Sequence, residues 1–326
     1  MDEDMNVWML LGPVLLLGVV LGFVTYAILL ERKVLGWMQG RHGPNRVGPW
    51  GIFQTVADVF KLLIKEDTIP AKADRTLFKM APVIAFVPAF VVLAAIPFSE
   101  DLVFADIGVG VLYIISLSSI TTIGILVGGW ASNNKYALLG AMRSVAQMIS
   151  YEIPLVMSVV GVVMAAGTLN LTGIVEAQQR MWFIIPQIIG FLVFFTASLA
   201  ELNRTPFDLP EAESELVAGY HVEYSGFRFA FFMLAEYVYV FAMAALTTVL
   251  FLGGWNPVFG LEFIPPLIWF VLKFALIVFT IFWIRATLPR IRVDQLMQLG
   301  WKVLLPLALF NIFLSALLKE VLEGWY

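Results

Sequence analysis

WFIIPQIIGFLVFFTASLA (Trp182–Ala200) runs straight into ELNRTPFDLPEAESELVAGYHVEY (Glu201–Tyr224). The first segment is apolar over nearly the roughly 20 residues that a bilayer-spanning helix needs. A second apolar run, Arg228–Leu252, follows the charged stretch. Between them stand six acids (Glu201, Asp208, Glu211, Glu213, Glu215 and Glu223) and one firm positive charge, Arg204. Two spans joined by a short, strongly acidic turn define an all-α membrane protein. They also pose the question of why so much negative charge sits there.

The whole chain repeats this pattern. Its 326 residues are 60% hydrophobic and 13% charged, with mean hydropathy +0.89, against about 25% charged in soluble domains. Cysteine is absent, so no thiolate holds an iron–sulfur cluster or zinc on this chain. The two histidines, His42 and His221, lie in loops, where they cannot hold a membrane haem. His221 reads as a hydrogen-bonded loop residue. No G-x-G-x-x-G or P-loop pattern occurs. Electron or hydride chemistry must therefore come from a partner, and no metal site is expected. The acidic start MDEDMN and the long run Val7–Leu30 read as an uncleaved first span.

Eight spans are expected, at about 7–30, 77–98, 106–130, 145–167, 182–201, 228–252, 264–284 and 301–321. Of the 20 Lys and Arg, 17 fall in or beside alternate loops on one side. By the positive-inside rule that side is cytoplasmic, and both termini face outside. The chain reads as one membrane domain, 1–326, carrying an acidic inner loop at about 201–227. Within the first inner loop, Ile52–Glu66 has apolar residues at helical spacing but is too short to span. It reads as an amphipathic helix on the inner membrane surface. Gly18-x-x-x-Gly22 and Gly124-x-x-x-Gly128 are weak signals of close helix packing.

Several charges fall where a membrane should exclude them. Glu31 ends the first span, Glu152 and Glu236 lie inside the fourth and sixth, Glu201 closes the fifth, and Lys273 is mid-span in the seventh. Each costs about 2.5–3.5 kcal/mol at a helix centre. Such groups are paired, or they line a wet path. A row of carboxyls in unequal surroundings can relay protons. Structural pairing is the competing account, and Lys273 fits either a partner in Glu236 or a water pocket. Phe231 and Phe232 fit either helix packing or an apolar ligand.

Five segments carry a resemblance. They are Glu31–Glu66 with its GPNRVGP turn, Gly129–Glu152, Ala200–Gly226 with RTPFDLPEAESELV, FLGGW (Phe251–Trp255), and Trp283–Lys302. In order, over nearly the whole chain, they resemble the H-subunit family of proton-translocating NADH:quinone oxidoreductase, respiratory complex I. The resemblance implies a subunit at the heel of an L-shaped assembly, where a quinone substrate enters from the bilayer. FMN and iron–sulfur clusters are then expected in partner subunits. The partners implied are peripheral-arm iron–sulfur and quinone-site subunits, antiporter-like membrane subunits and small membrane subunits. Lipid is the surrounding medium, and no nucleic acid is involved. The location implied is a bacterial inner membrane, and spans two to six are expected to resemble half of an antiporter-type subunit.

By motif position, the resemblance assigns proton-path and charge-network roles to Glu31, Arg143, Tyr151, Glu152, Glu201, Arg204, Asp208, Glu211, Glu213 and Glu236. It assigns the quinone passage to Arg32, Arg41, Gln54, Asp58 and Phe232. Three rivals remain at this stage. One is the membrane subunit of an energy-converting [NiFe] hydrogenase, another is an independent proton-coupled transporter, and the third is a passive anchor.

Overall fold

The computed structural model describes residues 2–100, 102–209, 217–257 and 263–321, with side chains from Leu11 to Glu320. Its helices are α1 (Asp2–Met38), α2 (Gln54–Ile64), α3 (Arg75–Val91), α4 (Gly110–Ala131), α5 (Lys135–Ala166) and α6 (Leu171–Ala177). They continue as α7 (Ile188–Glu201), α8 (Gly226–Phe251), α9 (Pro266–Thr287), α10 (Val293–Gln298) and α11 (Leu305–Val321). Among the described residues there is no strand, and seven helices are long and apolar enough to cross a bilayer.

The centre is α8. Every residue from Tyr237 to Phe251 is buried, as expected for a helix apolar on all sides. Helices α3, α7 and α9 pack against it, and α1 packs on both α8 and α9. Helix α5 links α4, α7 and α11. Gly124 brings α4 close to α3, because a Cβ there would lie 2.7 Å from the Ala85 backbone nitrogen. Gly18 and Gly22 meet nothing within 4 Å, so the first of the two glycine pairs does no packing within this chain.

The fifth apolar run departs from expectation. Its helix α7 has only 14 residues, about 21 Å at 1.5 Å per residue. Pro186 is the cause, since it lacks a donor and biases the preceding residue away from helix. The irregular segment before α7 is satisfied by protein. The buried Gln178 side chain accepts from the Phe183 and Gly253 nitrogens at 3.1 and 3.0 Å and donates to the Val249 carbonyl at 2.8 Å. Enclosure of this kind is what lets irregular backbone exist at membrane depth.

Other boundaries shift outward. Helix α1 runs past Glu31 to Met38, so Glu31 is an interior residue, only 3% exposed. Helix α5 starts at Lys135, where the Asn134 side chain accepts from the Tyr136 nitrogen and caps the helix. Helix α11 is entered from α10 through a π-helical turn, Leu299–Leu304. The surface helix α2 is 11 residues long, shorter than the Ile52–Glu66 pattern. It leaves Phe60, Leu63 and Ile64 exposed, and Phe53 just before it is exposed as well.

Lys273 does not pair with Glu236. Its ammonium donates to the carbonyls of Leu252, Gly254 and Asn256 at 2.7, 2.9 and 2.7 Å, and it lies 4.1 Å from the Trp182 ring centroid. Lys319 likewise donates to the Met164 carbonyl, near the end of α5, at 2.6 Å. These two lysines lie outside the basic loops, and both serve carbonyls at or just beyond a helix C-terminus, where a cation is favoured. Lys273→Met leaves buried carbonyls without a donor and should destabilise by about 3 kcal/mol. A lowered melting temperature of the detergent-purified assembly is the measurement. An unchanged one would show that the ammonium is dispensable.

Candidate functional site

The turn after α7 places Arg204 inside the protein, 2% exposed. Asn203 takes a left-handed backbone there (φ 49°), which reverses the chain. Arg204 Nη1 reaches Glu31 Oε2 at 2.6 Å, and its Nε reaches Glu236 Oε1 at 2.8 Å. Its guanidinium lies 4.4 Å from the Tyr237 ring centroid. The Tyr237 hydroxyl donates to Glu31 at 2.9 Å, and Arg285 pairs with the other Glu31 oxygen. Nearby, Arg290 meets Asp208 at 3.1 Å. Acids from α1, α8 and the turn thus face cations from the turn, α9 and the segment after it.

Pairing is obligatory here, because an isolated ion inside protein costs several kcal/mol. Burial opposes the Arg204 charge, but Glu236 and Glu31 outweigh it and raise its pKa well above the ordinary arginine value. Burial pushes the Asp208 carboxyl up, against the opposing pull of Arg290, Arg285 and Arg204.

A second acidic pair adjoins the first group. Glu201 ends α7 and is buried, with Ser118 hydrogen-bonded to it and Glu152 close enough to act on it electrostatically. Ser119 donates to Glu152. Tyr239 and Thr121 share a 2.6 Å hydrogen bond. A cavity of about 40 Å³ is lined by Glu201, Glu236, Asn203, Thr121 and Tyr239 among mostly apolar neighbours, room for about three or four waters by the rough measure of one per 10–15 Å³. One Glu201 oxygen has no hydrogen-bond partner among the described residues. Between the acid pairs, therefore, lies a small cavity whose wall is mostly apolar (Ala85, Ile125, Met148, Phe232) and into which Glu201 and Glu236 both reach.

At the other end, Arg32 on α1 meets Asp58 on α2 at 2.6 Å, and Gln54 donates to Asp58 at 3.3 Å. Glu31 and Arg32 are neighbours, so this group and the Arg204 cluster share α1. Arg41 bonds instead to Gln39 and is exposed. Phe232 is buried against Tyr220 and Tyr224, where it lines the cavity rather than the face of α2. Phe231 packs on Phe86 and Phe227. Tyr151 donates to the Leu296 carbonyl at 2.8 Å and packs on Phe207, apart from the acids. Arg143 is half-buried on α5 and is engaged there. Glu211, Glu213 and Glu215 lie outside the described residues.

Sequence reasoning misses four partners: Arg285, Arg290, Tyr237 and Tyr239. The two arginines register there only as inner-loop charges. The two tyrosines flank Glu236 on a deep span, and a polar tip at that depth is the available signal. His221 sits in an aromatic setting. Its ring packs between Tyr220 and Phe229, its Nδ1 has no partner among the described residues, and burial lowers its pKa to about 4.

The geometry defines a polytopic helical membrane protein built around an enclosed ionic network. The NADH dehydrogenase family pattern matches residues 11–316. The NADH-quinone oxidoreductase H-subunit of Anoxybacillus flavithermus is 71% identical over 94% of this chain and 92% of its own. The same-named protein of Brevibacillus brevis is 64% identical over 98% and 96%, and that of a Geobacillus strain 69% over 94% and 92%. The chain belongs to the NADH dehydrogenase family, as a membrane subunit of a complex I-type oxidoreductase.

Arg204→Met takes one of two cations from Glu31 and the one paired cation from Glu236, and should cost about 3 kcal/mol. Adding Glu236→Gln should recover part of that loss, as read by melting of the purified assembly. Simple addition of the two costs would refute the pairing. For His221 the folded pKa lies below the unfolded value, so the unfolded chain binds more protons between about pH 6.5 and 4. Stability should fall as pH drops through that window, by up to about 3 kcal/mol. His221→Phe should flatten the pH dependence of melting there, and an unchanged slope would contradict the burial account.

Proposed function

We propose that this chain forms part of a quinone chamber and couples quinone reduction to proton translocation through its buried carboxylates. The Arg32–Asp58 pair, the Glu31–Arg204–Glu236 group that shares α1 with it, and the cavity that Glu236 and Glu201 both line, with Glu152 beside Glu201, carry this reading. A quinone enters between α1, α2 and α8. A partner subunit delivers the electrons, because the chain has no cysteine and no histidine in a span. The reduced quinone takes up protons, which changes the field at Arg32, Asp58 and Glu31. Arg204 responds by shifting its attraction between Glu31 and Glu236. The change reaches Glu201 and Glu152 through the cavity, and antiporter-like subunits beyond them take it further.

The relatives' name, NADH-quinone oxidoreductase, supports NADH as donor and quinone as acceptor. A bacterial membrane with both termini outside matches the distribution of basic residues. Glu211 and Glu213 belong to the same path by motif position.

Two measurements on the assembled complex test this reading. Asp58→Asn should raise the KM for quinone about tenfold, equivalent to roughly 1.4 kcal/mol of binding. Glu236→Gln should lower the protons moved per quinone reduced. Wild-type values for both would remove the chain from the coupling path.

A further inference from the structure

One side chain outside the ionic network holds the turn that carries three of its members. Gln147 lies on α5 and is 1% exposed. Its amide nitrogen donates to the Ala200 carbonyl at 2.7 Å and the Phe207 carbonyl at 2.8 Å, and lies 3.2 Å from Asn203 Oδ1. Ala200 immediately precedes Glu201, and Phe207 immediately precedes Asp208. Arg204 lies between them, next to Asn203. Both ends of the turn, and its left-handed residue, therefore converge on one buried amide. Ser144, one helical turn earlier, adds a 3.3 Å hydrogen bond to Asn203.

The geometry points to Gln147 as a positioning residue that sets where Glu201, Arg204 and Asp208 stand relative to one another. The inference rests on the coupling role proposed above and deepens it. Two features give it force. The turn departs from regular helix after Glu201, and its own backbone hydrogen bonds (Asn203 to Ala200, Arg204 to Leu199, Phe207 to Arg204) are local and do not tie it to α5. Arg204 must also reach Glu31 at 2.6 Å and Glu236 at 2.8 Å at once, from helices α1 and α8 that do not carry it. A shift of about 1 Å in the turn would break one pair, and displacements of that size in supporting groups can cost about 100-fold in rate. Leu and Met cannot donate to the Ala200 and Phe207 carbonyls, whereas a carboxyl can do so only while protonated.

The test uses the assembled complex in membrane vesicles, with NADH-driven quinone reduction and proton uptake read together. Gln147→Leu should lower coupled turnover about tenfold, the effect of losing a buried hydrogen bond, with the quinone KM unchanged. In an Arg204→Met background the same substitution should cost much less than in the wild type, because much of its effect acts through the placement of Arg204. Multiplying losses would overturn the inference, and so would a rise in KM with kcat preserved. Should Gln147→Leu fail to assemble, Gln147→Glu decides. Its turnover should recover as pH falls and the introduced carboxyl regains a donor, and a pH profile parallel to wild type would overturn the inference. Full coupling in Arg204→Met alone would refute the coupling role itself, which is a separate outcome.

Discussion

Arg204 stands between Glu31 and Glu236, and the rest of the site depends on that placement. A buried guanidinium with one acid partner would be an ordinary structural ion pair. With two, from helices α1 and α8, it becomes a link whose balance responds to the charge on either side. Arg285 holds the far oxygen of Glu31, and Tyr237 holds the near one. The network is therefore paired in charge but not fully hydrogen-bonded: Arg204 Nη2 and Asp208 Oδ1 have no hydrogen-bond partner among the described residues. Its acids are kept inside protein at a cost that only mutual pairing offsets. Removing any one member leaves another exposed to that cost.

The scaffold keeps this arrangement by placing polar side chains where helices stop. The broken start of α7 is enclosed by Gln178. Lys273 closes the end of α8, and Lys319 braces the last turn of α5. The turn carrying Arg204 is braced by Gln147. Each device puts one polar side chain on carbonyls or amides that a bilayer would leave unsatisfied. Helix α8 needs no such help along its length, so it can present Phe232, Glu236 and Tyr239 to the cavity from a fixed frame.

Much of this is legible in the chain itself. The apolar runs locate the spans, and depth within a run marks Glu152 and Glu236 as unusual. Arg204 stands out as the lone firm cation in an acidic stretch. The spacing of Ile52–Glu66 gives the surface helix, and motif position singles out Arg32 and Asp58. Other features depend on tertiary contact, which hydropathy does not encode. Lys273 reads as a candidate partner for Glu236, and only the folded corner after α8 reveals its carbonyl partners. Arg285 and Arg290 read as ordinary basic-loop residues, because their acids are distant in sequence. Pro186 is visible, but a nearly continuous apolar run conceals how much helix it removes. Phe232 packs on Tyr220 and Tyr224 and lines the cavity, and nothing in a Phe-rich sequence distinguishes one ring from another.

In the proposed mechanism, the redox state of quinone moves charge among these carboxylates. Infrared difference spectroscopy of the assembled complex, recorded on quinone reduction, reads that directly. Carboxyl-region bands should appear in the wild type and be altered or lost in Glu201→Gln, whose site lies across the cavity from Glu236. A carboxyl spectrum unchanged by Glu201→Gln would contradict the account, and would leave the network as a means of holding helices together.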